Sequence, residues 1–249
     1  VVAGDALVDL APTPTATGGT AYQPRPGGSC LNVAAGLGRL GVPASLLARI
    51  SDDHCPDLLR AHLAESGTRL THVLATSDPA SLAAVRLCDD ASAAYPFHAN
   101  GAADRGLRPE CRDTLPNAGQ LKASEEDLAW LHPGEPYVLV AEGWPASGAK
   151  LVLVTLGSRG AWAAGGTARV HMPAPVVEAV DTVGAGDAFT AGVLAHLHRS
   201  GRLAGEGVAG PCPDELTGLP AYALGVAAET GTRVGAQPPF HREGLPIPS

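Results

Sequence analysis

Hydrophobic and polar positions along the chain mark out alternating strands and helices. Val1–Leu10 is an apolar run interrupted by Asp5 and Asp9, and predicts one buried strand. Ala11–Pro26 is rich in Pro, Thr and Gly and predicts a loop or a short edge ribbon. Leu31–Leu40 carries Leu31, Ala34, Ala35 and Leu37 at helical spacing and stops at Gly41-Val42-Pro43. A strand over Ala44–Ile50 follows, then a helix over Pro56–Ser66 closed by Gly67. This alternation points to an α/β sandwich with a mostly parallel sheet. Leu82–Cys88 and Ser92–His98 flank Asp89-Asp90 and predict an antiparallel hairpin standing apart from that sheet.

Further along, Ser124-x-x-Asp127 opens a helix over Ser124–Leu131, with Asp in place of the usual Glu of a capping box. Lys150–Leu156 predicts an apolar strand, Ala161–Ala164 and Thr167–His171 a hairpin, Gly184–His198 a long small-residue helix, and Leu219–Thr232 another helix. The Pro-rich tail after Gln237 predicts loose order. Asp104–Gln120 holds three arginines and no apolar periodicity, so it supplies neither the strand nor the crossover helix a parallel sheet needs there. It is a long functional loop or a stretch from which residues are absent, and absence is the expectation.

Composition narrows the classes. With 249 residues and 45% hydrophobic content, the chain can bury a sizeable core. Seventeen basic against 25 acidic side chains leave a net charge of −8, which disfavours nucleic-acid binding by phosphate neutralisation. No apolar run approaches the ~18 residues of a membrane span, and the opening VVAGDALVDL shows no leader pattern. Five cysteines without a Cys-x-x-Cys pair suggest reduced thiols, and together these features suggest a cytoplasmic protein.

Two glycine-rich segments carry the chemistry. In Asp181-Thr182-Val183-Gly184-Ala185-Gly186-Asp187, a Gly-Ala-Gly turn opens a helix. Its unobstructed N–H groups and the helix dipole make an anion site, and Asp187 in the first turn could meet a hydroxyl beside that anion. A plain helix N-cap with a dipole-complementing acid is the alternative. Gly27-Gly28-Ser29-Cys30-Leu31-Asn32 would let a small polar ligand approach the backbone, with Asn32 offering a donor and an acceptor. Taken alone it is equally a turn. Neither a P-loop nor a Rossmann glycine fingerprint occurs.

The two segments in this order resemble the paired signatures of the ribokinase-like (PfkB) family of carbohydrate kinases, most closely its fructokinase-type members. The resemblance extends over Val1–Asp53, Lys122–Leu131, Val152–Gly160 and the helix after Asp187. It implies a three-layer α/β sandwich with a mostly parallel central sheet plus a small antiparallel lid. The core would comprise 1–10, 27–76 and 104–249, and the lid 11–26 and 77–103.

The resemblance also implies roles. Asp187 would be the catalytic base, and Gly184, Ala185 and Gly186 the anion hole for the transferring phosphoryl group. Asp9, Gly27, Gly28 and Asn32 would hold sugar hydroxyls, and Phe97 on the lid would pack against the sugar. Ser124, Thr155, Gly157, Ser158, Gly160 and Ala228 would contact ATP. Asp127 would organise Mg2+ through water, and Asp181 and Val183 would lie near a monovalent cation, potassium. The implied reaction is transfer of the ATP γ-phosphoryl group to a primary hydroxyl of a small sugar, fructose first. A ribokinase, a ketodeoxygluconate or nucleoside kinase, or a catalytically silent sugar- or nucleotide-binding relative are the alternatives. Open lid edges could join two copies into a homodimer.

Overall fold

The computed structural model describes residues 1–53, 56–84, 86–87, 93–94, 97–98, 120–144, 149–203 and 213–241. The expected gap within Asp104–Gln120 lies outside these residues, apart from Gln120 itself.

The N-terminal run is two strands rather than one. β1 (Val2–Ala3) ends at a bend over Gly4, Asp5 and Ala6, and β2 (Leu7–Pro14) leaves in another sheet. Of the two expectations for Ala11–Pro26, the edge ribbon holds and the loop does not. β2 pairs antiparallel with β3 (Thr20–Gly27) over eight residue pairs, Leu7 opposite Gly27 and Asp9 opposite Arg25. Proline survives in β3 because the strand lies at the sheet edge, where missing N–H groups leave no ladder bond unmade.

β3 runs straight into α1 (Ser29–Arg39), which buries Leu31, Val33, Ala34, Ala35 and Leu37. β4 (Leu46–Ser51), α2 (Pro56–Glu65) and β5 (Val73–Thr76) complete the first half, and the parallel sheet order is β1-β4-β5. Leu31 and Ala34 of α1 and Leu59 and Leu63 of α2 share one apolar cluster with Leu46, Ala48 and Ile50 of β4.

The hairpin expected around Asp89-Asp90 is present. β6 (Leu82–Ala84) pairs antiparallel with β9 (Phe97–His98), and β7 (Arg86–Leu87) with β8 (Ala93–Ala94), in one continuous register. β6 also joins β2 in parallel, so a sheet of order β3-β2-β6-β9 stands apart from the β1-β4-β5 sheet.

In the second half, β10 (Gln120–Ser124) runs parallel to β11 (Leu151–Thr155), and β12 (Ala161–Gly165) and β13 (Ala168–Met172) continue the sheet antiparallel. Between β10 and β11 lie α3 (Glu125–Leu131) and α4 (Tyr137–Gly143). α5 (Ala185–Arg199) and α6 (Pro213–Gly231) follow β13. The period-2 pleat of β11 sorts its side chains between two layers. Leu151 and Leu153 pack with Phe189, Val193 and Leu197 of α5 and Leu216 and Leu219 of α6. Val152 and Val154 pack with Leu128 of α3 and Val140 and Ala141 of α4. Helices therefore cover both faces, as expected of an α/β sandwich.

α6 begins six residues before the expected Leu219 and carries Pro220 inside it. Complete burial of Leu216 and Leu219 against α5 offsets the ~3 kcal/mol cost of an interior proline. The tail is better ordered than expected through residue 241. Arg39 Nη1 donates to the Pro238 carbonyl at 3.1 Å, the His241 N–H donates to the Arg39 carbonyl at 2.9 Å, and the guanidinium of Arg39 stacks 4.9 Å from the Phe240 ring centroid.

Candidate active site

The bend at Gly4–Ala6 has a purpose at the start of α1. Gly28, in the N-cap position, has no side chain to satisfy the helix's unpaired N–H groups. Asp5 takes over that task from a distance. Its carboxylate accepts the N–H of Ser29 at 2.9 Å and of Cys30 at 3.1 Å, and its backbone carbonyl accepts that of Leu31 at 3.2 Å. Burial, and after it the nearby Asp5 charge, pushes the Cys30 thiol up to about 11, so this free cysteine is unreactive at neutral pH.

So anchored, α1 presents two side chains to the N-terminus of α5. Ser29 Oγ donates to Asp187 Oδ1 at 2.6 Å, and Asn32 Nδ2 donates to Asp187 Oδ2 at 2.9 Å. Because a carboxylate accepts only, the amide group of Asn32 must face it with nitrogen. Asn32 Oδ1 is then left buried and without a hydrogen-bond partner. Burial raises the Asp187 carboxyl above its ordinary range and a charge from Asp5 adds to that; the Ser29 and Asn32 hydrogen bonds and the Lys122 charge act the other way.

Asp9 lies on the same side. Gly27 permits this, since a Cβ there would stand 2.4 Å from Asp9 Oδ2. Asp9 is 8% exposed, and burial, with the charges of Asp187 and Asp5, lifts it from 3.8 to about 6. Asp9, Gly27, Asn32 and Asp187 thus lie near one another, Gly27 against the Asp9 carboxylate and Asn32 on the Asp187 carboxylate, with Gly28 at the start of α1. Phe97 pairs with Ala83 through its backbone; its side chain is outside the described residues.

The Gly-Ala-Gly turn is built as expected. Gly184 is the N-cap of α5 with φ 74°, and a Cβ there would meet Ala236 Cβ at 2.3 Å, so only glycine fits. Asp181 fixes the approach to the turn. Its Oδ1 accepts the Val183 N–H at 2.9 Å and its Oδ2 the Gly235 N–H at 2.7 Å.

On the other side of the turn opens a cavity of about 540 Å³. Ala185 and Gly186 line it, as do Ser124, Thr155, Gly157, Ser158, Gly160 and Ala228. The structure therefore brings together every residue the sequence assigned to nucleotide contact. The far wall is apolar, formed by Leu224, Ala227 and Ala228 of α6 and by Ala174–Val177.

Lys122 on β10 also lines this cavity, and the sequence singled it out for no role. Its Nζ would lie 3.5 Å from a Cβ at Gly186. The side chain has solvent-accessible surface because it faces the cavity, yet the walls crowd its ammonium. That desolvation lowers its proton affinity, against the opposing pull of Asp187, Asp127 and Glu126. Ser124 and Asp127 form the capping box of α3. Ser124 Oγ accepts the Asp127 N–H at 3.0 Å, and Asp127 Oδ2 accepts the Ser124 N–H at 2.9 Å. Asp127 is not part of the cavity wall, whereas Glu126, unassigned from sequence, is. Ser29, Asp5 and Lys122 were all missed because their roles depend on contacts distant in sequence.

The glycine turn thus carries Asp187, held by Ser29 and Asn32, directly after Ala185 and Gly186, which line a cavity with Lys122 and an apolar wall. Residues 73–240 match the family model described as pfkB family carbohydrate kinase. A fructokinase from Rhizobium leguminosarum bv. trifolii is 29% identical over 255 aligned residues, covering 78% of this chain and 78% of that protein. A fructokinase from Xylella fastidiosa, solved with bound ATP, matches with a TM-score of 0.77 at 22% identity, over 94% of this chain and 92% of that one. A fructokinase from Vibrio cholerae O395, solved with fructose, ADP and calcium ion, matches with a TM-score of 0.76 at 21% identity, over 94% of this chain and 93% of that one. The two solved structures share the fold, and the family match extends across the anion turn and the cavity: the chain belongs to the pfkB family of carbohydrate kinases and is a sugar kinase.

Proposed function

We propose that this kinase transfers the γ-phosphoryl group of ATP to a primary hydroxyl of fructose, with Asp187 as catalytic base. The observation that carries the assignment is the position of Asp187, directly after the cavity-lining Ala185 and Gly186 and gripped on both oxygens by α1. The similarity to fructokinases supports fructose over the other sugars of the family.

The larger cavity suits a nucleotide. Its volume falls within the ~300–1,000 Å³ of small-molecule sites, its apolar wall suits a base, and Lys122 with the Gly184–Gly186 N–H groups suits phosphates. Among the described residues no group of three His, Cys, Asp or Glu could hold a metal. Mg2+ commonly binds through one or two carboxylates plus substrate phosphates, and Glu126 and Asp127 beside Lys122 fit that pattern. When bound, Mg2+ would neutralise charge on the phosphate oxygens. A potassium ion near Asp181 and Val183 belongs to the same proposal, as does closure of the β3-β2-β6-β9 sheet over the sugar. Pairing of two copies through its open edge is a further part of it.

Within this frame the residues divide the work. Asp9 accepts hydrogen bonds from sugar hydroxyls, and the unpartnered Asn32 Oδ1 accepts another, so the sugar satisfies an otherwise orphaned buried acceptor. Asp187 has lone pairs beyond those used by Ser29 and Asn32, and receives the proton of the attacking hydroxyl. The turn N–H groups and Lys122 stabilise charge on the transferring group.

Replacing Asp187 by Asn tests the assignment. Turnover of fructose should fall ~10²–10⁴-fold while fructose affinity, measured by calorimetry, stays within about threefold. Near-normal turnover would refute the role of Asp187. Wild-type turnover of ribose or a nucleoside but not of fructose, lost in the Asp187→Asn variant, would retain Asp187 and replace the sugar.

A further inference from the structure

An exposed serine hydroxyl donates a 2.6 Å hydrogen bond to the carboxylate assigned above as the base, and a third group, Asn32, orients that carboxylate. A nucleophile within ~2.6–3.2 Å of its base, with the base held by another side chain, is the arrangement of an activated hydroxyl nucleophile. The acceptor hydroxyl of a sugar must occupy the same kind of position relative to Asp187. Ser29 therefore stands where a substrate hydroxyl is needed.

Several features make that position productive. Ser29 is the first residue of α1, exposed, and carried on a helix end that Asp5 clamps through two N–H groups. Asp187 directly follows Gly186, which lines the larger cavity beside Lys122. The phosphate-stabilising groups and the serine–carboxylate pair thus adjoin one another. Ser29 follows the Gly28 N-cap and Asp5 satisfies the first-turn N–H groups, so the Ser29 hydroxyl has no capping task and donates to Asp187, 158 positions away in sequence.

We propose that Ser29 is a second phosphoryl acceptor of this enzyme, phosphorylated within its own chain when ATP is bound and the sugar pocket is empty. The proposal rests on the assignment of Asp187 as base and of the larger cavity as the ATP site. In the step, Asp187 takes the proton of Ser29 Oγ and the Oγ–phosphorus bond forms. The bond between the γ-phosphorus and its bridging oxygen breaks, and ADP leaves. The phosphoserine would bring about −1.5 to −2 charges next to Asp187 and Asp5 and would block the sugar pocket.

The test incubates the full-length protein with magnesium and radiolabelled ATP without sugar, and maps the label by mass spectrometry of peptides. One phosphate on Ser29 is expected, accumulating at a rate independent of protein concentration. Fructose at about ten times its dissociation constant leaves about a tenth of the pockets empty, so it should slow labelling about tenfold. Asp187→Asn and Ser29→Ala should each abolish the label, and fructose turnover should fall in step with the labelled fraction of wild-type enzyme. Because wild-type protein alone locates the phosphate, the result does not depend on either variant folding. Turnover of fructose with no phosphate on Ser29, or with phosphate elsewhere, would overturn the proposal and leave the kinase assignment standing. Absence of transfer to both fructose and Ser29, in protein that still binds ATP, would overturn both.

Discussion

Asp9→Asn separates what the proposed sugar site needs from what the fold needs. In the unfolded chain Asp9 has its ordinary value of 3.8, and in the folded protein about 6, chiefly through burial and then through the charges of Asp187 and Asp5. The folded state therefore holds a proton that the unfolded state has lost between those two values. Stability from this group is present below about pH 4 and is lost progressively as pH rises to about 6. At about 1.4 kcal/mol per pH unit the loss amounts to about 3 kcal/mol. Asn has the same shape and no charge, so the variant should recover up to about 3 kcal/mol above pH 6. For a chain of this size that corresponds to a rise in Tm on the order of 5–10 °C. Thermal unfolding of both proteins from pH 4 to pH 8 measures it, with the gap near zero at pH 4 and largest at pH 8. Fructose affinity should move the other way, weaker in the variant and weaker in wild type as pH falls below about 6. A variant no more stable than wild type at pH 8, or a gap independent of pH, would refute the argument that Asp9 is held at an energetic cost.

Two further substitutions probe the anion turn. Lys122→Gln should lower kcat ~10²–10³-fold, the usual effect of losing one charge-stabilising donor. Because burial lowers the proton affinity of Lys122, the wild-type rate should decline on the alkaline side at a pH below 10.5, and the variant should lose that limb. Gly184→Ala forces a Cβ to within 2.3 Å of Ala236 Cβ at a residue with φ 74°. Strain and overpacking together predict a loss of about 2–4 kcal/mol, read as a lower urea midpoint with an unchanged slope.

How far the molecule could be read from its sequence depended on the range of the interactions involved. α1, α2 and α3 were legible because their signals are local: apolar spacing, Gly67 as a stop, and Ser124 with Asp127 as a cap. The pairing of β6 with β9 and of β7 with β8 was legible for the same reason, two short strand-like runs lying close in sequence. The residues that line the cavity beside Gly186 were named together through a resemblance, whose proposed role for them is nucleotide contact. The split of Val1–Leu10 was not legible, because its pattern suits one strand; the break exists to bring Asp5 under α1, a partner 24 residues away. α4 escaped because Tyr137–Gly143 is under two helical turns long and carries the β-branched Val138 and Val140, and is made helical by packing of Val140 and Ala141 against the sheet. Lys122 and Ser29 sat inside quoted motifs, yet their neighbours come from another strand or helix.

The charges of the site explain why the pocket should discriminate against an empty state. Asp5, Asp9 and Asp187 lie close enough to act on one another, while Lys122 is the cation that acts on Asp187. Asp5 is compensated by the N–H groups of α1, and Asp187 by Ser29, Asn32 and Lys122. Asp9 is the residue whose burial and neighbours all act against its charge. Sugar hydroxyls donate to carboxylates, so a bound sugar would favour the ionised form of Asp9, the form that water-poor surroundings penalise. Binding should therefore release a proton from Asp9 near pH 6, and the observed binding enthalpy there should change with the ionisation heat of the buffer. The energy withheld from folding at Asp9 is the same energy that makes a hydroxyl donor welcome in its place.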